Sequence, residues 1–443
     1  METIYAPATA IAKSGVCVIR VSGQKAKDCV EILSKKPLPK ARYTSLRDIF
    51  NPKTNELIDS ALIIYFSSPN SFTGEDVVEF HTHGSRAVVN SLLEALSEIK
   101  DFRLAEPGEF SKRAFENSKM NLVEAEGLSD LINAETKSQA QLALRQMQGS
   151  LSELYNQWRQ EILQIRSLVE AYIDFPDEEI PQNIIEQTNL QIENLKTNIR
   201  NHLDDNNRGE KLRDGIYITL IGEPNVGKSS LLNNLSKRDM AMVSDIEGTT
   251  RDIIEVPMDI GGFSVTISDT AGIRNSSDIL EIQGISRTLD RSKNSDLKIA
   301  ILDCSKNLEF PATIKKEIDN KTIIVINKCD IKKDIKETGF IKDANPIYIS
   351  VKTGQGVDKL LNEIESRVKD IFYDMSSPLV TRNRHRELSS KALEYLNNTD
   401  LSDPPEMSAE HLRGASTEIG KIIGAINTDE VLGHIFGQFC IGK

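Results

Sequence analysis

The first 118 residues alternate short apolar runs with turn signals. Residues 15–23, 61–66 and 76–80 are rich in β-branched and aromatic side chains and are bounded by Gly, Ser or Pro, which predicts three strands. Residues 85–99 place apolar side chains at helical spacing, at Val88, Leu92, Leu93 and Leu96. This stretch therefore predicts a small α/β domain over residues 1–118.

The pattern changes to nearly continuous helix over residues 119–210. Apolar side chains recur at intervals of three and four, beginning with Leu122, Ala125, Leu128, Leu131 and Ile132. An acidic stretch at 174–179 interrupts the pattern. A partner contact is one interpretation of this stretch, and a solvated turn between helices is the one we favour. Polar residues at 201–208 predict a linker.

Strands and helices alternate over residues 211–375, which is typical of a parallel α/β sheet. The predicted strands are 216–221, 297–302, 322–326 and 346–349. Gly261-Gly262 separates two further apolar runs and predicts a hairpin, and hence one antiparallel edge. Helical spacing returns over residues 376–443, so we expect the α/β domain to be inserted into a helical one. Such insertions are tolerated because the ends of compact domains often lie close together.

Composition restricts the partners and the cellular compartment expected for this multidomain chain. Its 443 residues carry 54 Lys and Arg against 66 Asp and Glu, a net charge of −12. An acidic chain repels nucleic-acid backbones at long range, so contact with RNA is expected to be local or shared with a partner. The sequence shows no apolar run near the roughly 20 residues that span a bilayer and no signal-peptide pattern. We therefore expect a cytoplasmic protein that does not bind a membrane. Five scattered cysteines predict neither a disulfide framework nor a zinc site.

A phosphate-binding loop is predicted at residues 222–229. The string Gly-Glu-Pro-Asn-Val-Gly-Lys-Ser matches GxxxxGK[ST] and lies between a predicted strand and a helix. Its backbone N–H groups can turn towards phosphates, Lys228 supplies charge to the β- and γ-phosphates, and the Ser229 hydroxyl can bind Mg²⁺. A glycine-rich strand–helix turn is the alternative, and the strand–helix context favours the nucleotide.

Asp269 opens Asp-Thr-Ala-Gly, which offers a carboxylate for Mg²⁺ and an N–H for the γ-phosphate. Asp330 closes Asn-Lys-Cys-Asp and can accept two N–H bonds from a guanine edge. The segment 350–352, Ser-Val-Lys, can close the base pocket with a backbone N–H. The ordered set resembles the G domains of translation-factor-type GTPases.

This resemblance assigns a nucleotide-binding role to residues of the four segments, to Ser230 and to residues 244–250. They are Asn225, Val226, Gly227, Lys228, Ser229, Ser230, Ser244, Asp245, Ile246, Glu247, Gly248, Thr249, Thr250, Asp269, Thr270, Ala271, Gly272, Asn327, Lys328, Asp330, Ser350, Val351 and Lys352.

Ile273 stands where Ras-like enzymes carry a Gln that orients the attacking water, so another group must do this work. Asn225 and the Gly-Thr-Thr-Arg-Asp string at 248–252 resemble GTPases that dimerise their G domains around a potassium ion. The resemblance implies potassium ligands at Asn225, Ser244, Ile246 and Thr249, magnesium ligands at Ser229 and Thr250, and a water-positioning Glu281. A turn-capping role for Asn225 and a helix-N-terminal role for Glu281 are the alternatives.

The flanking segments resemble the MnmE (TrmE) family of tRNA-modification GTPases. They include residues 72–76 (Phe-Thr-Gly-Glu-Asp), 107–115 (Pro-Gly-Glu-Phe-Ser-Lys-Arg-Ala-Phe), 117–122, 124–128 and the terminal Cys-Ile-Gly-Lys at 440–443. The resemblance implies a K⁺-dependent GTPase activated by G-domain dimerisation. With an FAD-containing MnmG (GidA)-type partner, in a heterotetramer or larger complex, it would add an aminomethyl or carboxymethylaminomethyl group to C5 of the wobble uridine of certain tRNAs.

The same resemblance implies that the N-terminal domain forms a homodimer and binds 5-formyl- or methylene-tetrahydrofolate through Arg20, Glu79, Lys119 and Lys443. From the residues alone, Arg20 on an apolar strand could instead form an internal salt bridge, and Glu79 could face solvent. Cys440 is a candidate reactive thiol, with a passive surface cysteine as the alternative.

The competing hypothesis is a regulatory GTPase in ribosome assembly, which would bind RNA directly. The acidic balance and the absence of an RNA-binding module in the sequence disfavour it. The one compact basic cluster, at 382–386, is expected to be a solvated helix start.

Overall fold

The computed structural model describes residues 2–174, 182–238, 255–269, 295–306, 308–331, 341, 344–373, 377–426 and 429–442. The described chain divides into two units. Unit 1 contains residues 1–129, 147–168 and 412–443, and unit 2 contains residues 130–146 and 169–411. Each unit has its own sheet and its own buried core.

The strands of unit 1 are β1 Thr3–Pro7, β2 Ser14–Ser22, β3 Ser45–Phe50, β4 Leu57–Phe66, β5 Val77–Gly84 and β6 Phe102–Leu104. The strands of unit 2 are β7 Ile216–Ile221, β8 Glu255–Ile260, β9 Phe263–Asp269, β10 Leu297–Asp303, β11 Thr322–Asn327 and β12 Ile347–Tyr348. In chain order the helices are α1 Asp28–Ser34, α2 Arg86–Ser97, α3 Glu109–Glu116, α4 Leu122–Asn133, α5 Lys137–Met147, α6 Ser150–Asp174, α7 Gln182–Leu203, α8 Arg208–Asp214, α9 Lys228–Leu235, α10 Ala312–Lys315, α11 Val357–Ile371, α12 Asn383–Asn397, α13 Pro405–Ile423 and α14 Asp429–Gly437.

The sheet of unit 1 runs in the order β3-β4-β5-β2-β1-β6. Its pairs are antiparallel except β1 with β6. Apolar side chains of β2 and β5, such as Ile19 and Phe80, are buried in one core with Leu92 and Leu96 of α2. Ser85 caps α2, since its hydroxyl accepts a hydrogen bond from Val88 N at 3.2 Å. The three predicted strands and the helix are confirmed; β1, β3 and β6 were not predicted.

The sheet of unit 2 runs in the order β12-β11-β10-β7-β9-β8. It is parallel apart from the β8–β9 hairpin, which turns at Gly261-Gly262 as predicted. Every residue of β10 and β11 is buried, as expected for central strands covered on both faces. Apolar residues of α9 and α11 complete this core. The carboxyl ends of β7, β9, β10 and β11 consequently share one edge, where ligands of open parallel sheets bind.

The basic cluster begins a helix, α12, as expected, but Arg382 and Arg386 within it are paired with carboxylates instead of being solvated. Arg382 donates to Asp130 at 2.6 Å. Arg386 donates to both carboxylate oxygens of Glu210 at 2.8 Å and to Asp205 at 2.7 Å. Acidic partners distant in sequence thus neutralise Arg382 and Arg386.

The acidic stretch falls partly outside the described chain. Residues 175–179 of the acidic stretch lie there. The linker is shorter than predicted, because α7 continues to Leu203 and α8 begins at Arg208. Among the described helices, none is both long and apolar enough to cross a bilayer.

Candidate nucleotide-binding site

The loop between β7 and α9 has the curled backbone that a phosphate cradle needs. Asn225 (φ 64°) and Gly227 (φ 105°) both adopt left-handed conformations, and α9 begins directly afterwards at Lys228. A Cβ atom at Gly227 would clash with the Asn327 amide nitrogen, so only glycine fits there. The unpaired N–H groups of the first turn of α9 therefore open into the loop, an arrangement that favours anions.

Lys228 supplies a positive charge inside this loop. Its ammonium donates to the carbonyl oxygens of Gly222 at 2.7 Å and Glu223 at 2.9 Å. The side chain is buried, and this burial lowers the pKa of Lys228, while the nearby Asp269 carboxylate opposes the shift. The cation is therefore held by backbone carbonyls, which a phosphate can replace.

Two oxygen ligands meet where β9 ends beside α9. The Ser229 hydroxyl donates to an Asp269 carboxylate oxygen at 2.5 Å, and Asp269 is fully buried. A hydroxyl beside a carboxylate is the hard-oxygen set that Mg²⁺ prefers. The predicted third group, Thr250, lies outside the described residues.

Asn327 ties the end of β11 to the phosphate loop. Its amide donates to the Val226 carbonyl at 2.9 Å, and its side-chain oxygen accepts from Val351 N at 3.2 Å. One side chain thus joins three of the predicted nucleotide segments. Lys328 adds a second tie, because its ammonium donates to the Asn225 carbonyl at 2.9 Å.

The guanine-binding Asp330 is oriented by the next strand end. The Ser350 hydroxyl donates to an Asp330 carboxylate oxygen at 2.7 Å and accepts from Thr353 N at 3.2 Å. Cys329 N donates to the Ile349 carbonyl at 3.1 Å, which fixes the loop after β11 against residues 349–350. The structure thus brings together the described parts of all four predicted segments.

Several predicted site residues lie outside the described residues. They are Ser244, Asp245, Ile246, Glu247, Gly248, Thr249, Thr250, Thr270, Ala271, Gly272, Glu281 and Lys443. Sequence reasoning also missed Asp303 at the end of β10, whose carboxylate accepts from Lys328 Nζ at 2.6 Å. The signal that could have identified Asp303 from the sequence is its position at the carboxyl end of a continuous apolar strand.

The predicted folate residues of unit 1 include a cross-strand ion pair. Arg20 and Glu79 are opposite each other on β2 and β5, with Nη2 and Oε1 3.0 Å apart. The guanidinium also lies over the rings of Phe72 and Phe110, at 5.2 and 5.8 Å from their centroids. Arg20 therefore forms the internal salt bridge that was the alternative, and its guanidinium also remains partly exposed. Lys119 lies nearby in the fold, packed over Gly74.

The cysteines divide by burial. Cys17, Cys29 and Cys304 are buried, and Cys440 is exposed. Burial strongly raises the pKa of the Cys29 thiol, so it is an inert core group. Across the described part of the chain, no group of three or more potential metal-ligating side chains forms, and His83 pairs with Asp59 at 2.7 Å.

A parallel sheet that carries a phosphate loop, an Asp at the neighbouring strand end and an Asn-Lys-Cys-Asp segment defines a P-loop GTPase. Comparison with known proteins assigns the family. The family models described as "GTP-binding protein TrmE N-terminus" and "MnmE helical domain" match residues 3–119 and 122–440. The chain belongs to the MnmE family of tRNA modification GTPases. The helical-domain match brackets the parallel sheet, in agreement with the predicted fold class.

Relatives in this family align over their whole length. The tRNA modification GTPase MnmE of Rickettsia akari is 46% identical over 445 residues, covering 100% of both chains. That of Rickettsia typhi is 45% identical over 445 residues, again with 100% of both chains covered. As a GTPase of this family, the chain binds GTP and Mg²⁺.

Solved structures with similar G domains include the G domain of the T. maritima FeoB iron transporter, 24% identical, with a TM-score of 0.26. It covers 35% of this chain and 98% of that chain. Era in complex with MgGDPNP and a 16S ribosomal RNA fragment is 22% identical, with a TM-score of 0.28 over 43% of this chain and 69% of that chain. With TM-scores this low, neither likeness adds to the family assignment.

Proposed function

We propose that this chain is a K⁺-dependent GTPase, activated by dimerisation of its G domains, that modifies tRNA together with an FAD-containing MnmG/GidA-type partner. The product is an aminomethyl or carboxymethylaminomethyl group at C5 of the wobble uridine of certain tRNAs. The observation that carries the nucleotide part is the convergence of Lys228, Ser229, Asp269, Asn327 and Asp330 at one edge of the sheet.

GTP binding exchanges hydrogen bonds that the loop already makes. Lys228 gives up the carbonyls of Gly222 and Glu223 and turns its charge towards the β- and γ-phosphates. The exchange is favourable because a charge-assisted hydrogen bond to phosphate is stronger than one to a neutral carbonyl. Asp330, held by Ser350, accepts the guanine N–H groups, which adenine lacks.

Mg²⁺ would be held by Ser229 and Asp269, with Thr250 from outside the described residues. The ion would supply positive charge beside the phosphates, where charge develops during transfer. The 2.5 Å hydrogen bond between the Ser229 hydroxyl and Asp269 supports this assignment, because it places two oxygen ligands side by side. The role of the protein is to hold the Ser229 hydroxyl beside the Asp269 carboxylate.

Potassium would be held by Asn225 together with Ser244, Ile246 and Thr249. Asn225 tolerates its left-handed backbone better than most residues, and its side chain is exposed beside the loop. A fixed cation beside the phosphates would stabilise transition-state charge, the work that an arginine finger does in other GTPases. Glu281 would orient the attacking water, since Ile273 has no polar group.

The folate part of the proposal rests on Arg20. Its guanidinium has one carboxylate partner, Glu79, and two aromatic neighbours, and about a fifth of the side chain is exposed. A partly exposed cation beside aromatic rings suits a ligand that combines a flat heterocycle with carboxylates. In this proposal Lys119 and Lys443 supply further positive charge, Cys440 is a candidate reactive thiol, and the N-terminal domains form a homodimer.

The acidity of the chain bears on its tRNA substrate. A net charge of −12 predicts weak binding of tRNA by this protein alone, so the flavoprotein partner supplies the positive surface. The basic cluster at 382–386 changes this little, because Arg382 and Arg386 are paired with carboxylates.

The testing experiment is GTP hydrolysis by the full chain in KCl against NaCl at equal ionic strength. We expect stimulation by K⁺ alone, and loss of that stimulation in Asn225→Gly, which removes the side chain without left-handed strain. Binding of labelled GDP in NaCl should be unchanged in this variant. Equal rates in the two salts for the wild type would defeat the potassium proposal.

A further inference from the structure

Asp303 ends β10 with a carboxylate whose two oxygens have different partners. The residue is 3% exposed and lies beside Asn327 in the β10–β11 register. One oxygen, Oδ1, accepts from the Ser305 backbone N at 2.9 Å and from the Ser305 hydroxyl at 2.6 Å. The other, Oδ2, accepts from Lys328 Nζ at 2.6 Å. Ser305 thus fixes the orientation of the carboxylate and directs its free oxygen at Lys328.

Lys328 passes this restraint to the phosphate loop. Its ammonium also donates to the Asn225 carbonyl, at 2.9 Å. Lys328 (φ 66°) and Asn225 (φ 64°) both have left-handed backbones, which are costly for Lys and less so for Asn. Strained backbones persist where surrounding contacts hold them, and here one ammonium links the two strained residues to a buried carboxylate.

The carboxylate remains charged in this setting. Burial alone would raise the pKa of Asp303, but hydrogen bonds from Lys328 and Ser305 hold it below its usual value. The Lys328–Asp303 contact is therefore a charge-assisted hydrogen bond, one of the stronger kinds in proteins.

We propose that Asp303 is a positioning residue for guanine nucleotide binding. Through Lys328 it fixes the Asn225 carbonyl, and so sets the spacing between the phosphate loop and the guanine-binding end of β11. This inference rests on the proposed function, in which residues 225–229 and 327–330 hold the nucleotide. Asp303 itself touches no reacting atom.

The same sheet offers a matched control at its opposite end. Lys298, near the start of β10, pairs with Asp319 at 3.1 Å. The other Asp319 oxygen accepts from the Thr322 hydroxyl at 2.9 Å and from Lys321 N at 3.0 Å. This pair repeats the chemistry of Asp303 between the same two strands, without a contact to the phosphate loop.

The test measures the affinity of the full chain for fluorescently labelled GDP, which involves no hydrolysis. We expect Asp303→Ala to weaken binding about tenfold, the size of one charge-assisted hydrogen bond, and Asp319→Ala to leave it within about twofold. In a Lys328→Ala background, Asp303→Ala should change the affinity by less than about twofold, because its effect passes through Lys328.

A second variant covers the case in which Asp303→Ala does not fold. Asp303→Asn keeps the shape and the Ser305 hydrogen bond but places an amide against Lys328, and it should also weaken GDP binding about tenfold. Equal affinity in wild type and both Asp303 variants overturns the inference, as does equal weakening by Asp319→Ala. A wild-type chain that binds no guanine nucleotide overturns the proposed function itself, so the two failures are distinguishable.

Discussion

Gly227→Ala tests the geometry of the phosphate loop most severely. The substitution places a Cβ atom on a backbone with φ 105°, at a cost of about 1 kcal/mol or more. The same Cβ would clash with the amide of Asn327, which now donates to the Val226 carbonyl at 2.9 Å. Loss of that buried hydrogen bond adds about 1–2 kcal/mol. The sum, about 3 kcal/mol, predicts an affinity for labelled GDP about 100-fold weaker than that of the wild type.

Gly354→Ala is the matched control for this prediction. Gly354 also has positive φ, at 82°, and lies in the loop after β12, but nothing stands within 4 Å of an added Cβ. Gly354→Ala therefore has the cost of a left-handed backbone but no clash, and we expect its affinity for GDP to lie within about threefold of that of the wild type. If the two variants bind GDP equally well, the contact between the phosphate loop and Asn327 does not support nucleotide binding, and the reasoning fails.

Further predictions concern stability, pH, folate and catalysis. Arg386→Ala removes the partner of the buried Asp205 carboxylate and of the half-buried Glu210 carboxylate, and should lower the free energy of unfolding by about 3 kcal/mol, measured by urea denaturation; Arg213→Ala, which removes a more exposed ion pair with its neighbour Asp214, should cost less than about 1 kcal/mol. Burial lowers the pKa of His202 to about 4, although the nearby Asp205 carboxylate opposes the shift. The unfolded chain then binds more protons, so stability should fall as the pH drops from about 6.5 towards 4, and the His202→Gln variant should show a flatter profile. Arg20→Ala should weaken reduced-folate binding at least tenfold in calorimetric titration; a wild-type chain without folate affinity would remove that assignment. Glu281→Ala should abolish GTP hydrolysis in KCl while retaining GDP binding, and a variant with full activity would exclude its catalytic role.

Periodicity and spacing predicted most of the elements that build the nucleotide site. The strand at 216–221 was predicted to the residue, because a continuous apolar run ends at a glycine-rich loop. The strands β1, β3 and β6 were missed. β6 has three residues, and β3 carries Arg47 and Asp48 in its centre, so neither presents a clear apolar alternation.

Charges paired over long sequence distances were beyond the reach of local patterns. The cluster at 382–386 looked solvated because its neighbours in sequence are basic and polar. Its carboxylate partners, Asp130, Asp205 and Glu210, come from other helices and loops. Asp303 was missed for the same reason, since only the pairing of β10 with β11 brings it to Lys328.

The central claim is that nucleotide binding at this site serves wobble-uridine modification. Mass analysis of tRNA nucleosides from cells lacking this protein tests it most directly, with complementation by the wild type and by Gly227→Ala. We predict that the C5-modified wobble uridines disappear in the deletion, return with the wild type and fail to return with the variant at equal protein levels. Unchanged wobble uridines in the deletion strain would contradict the account.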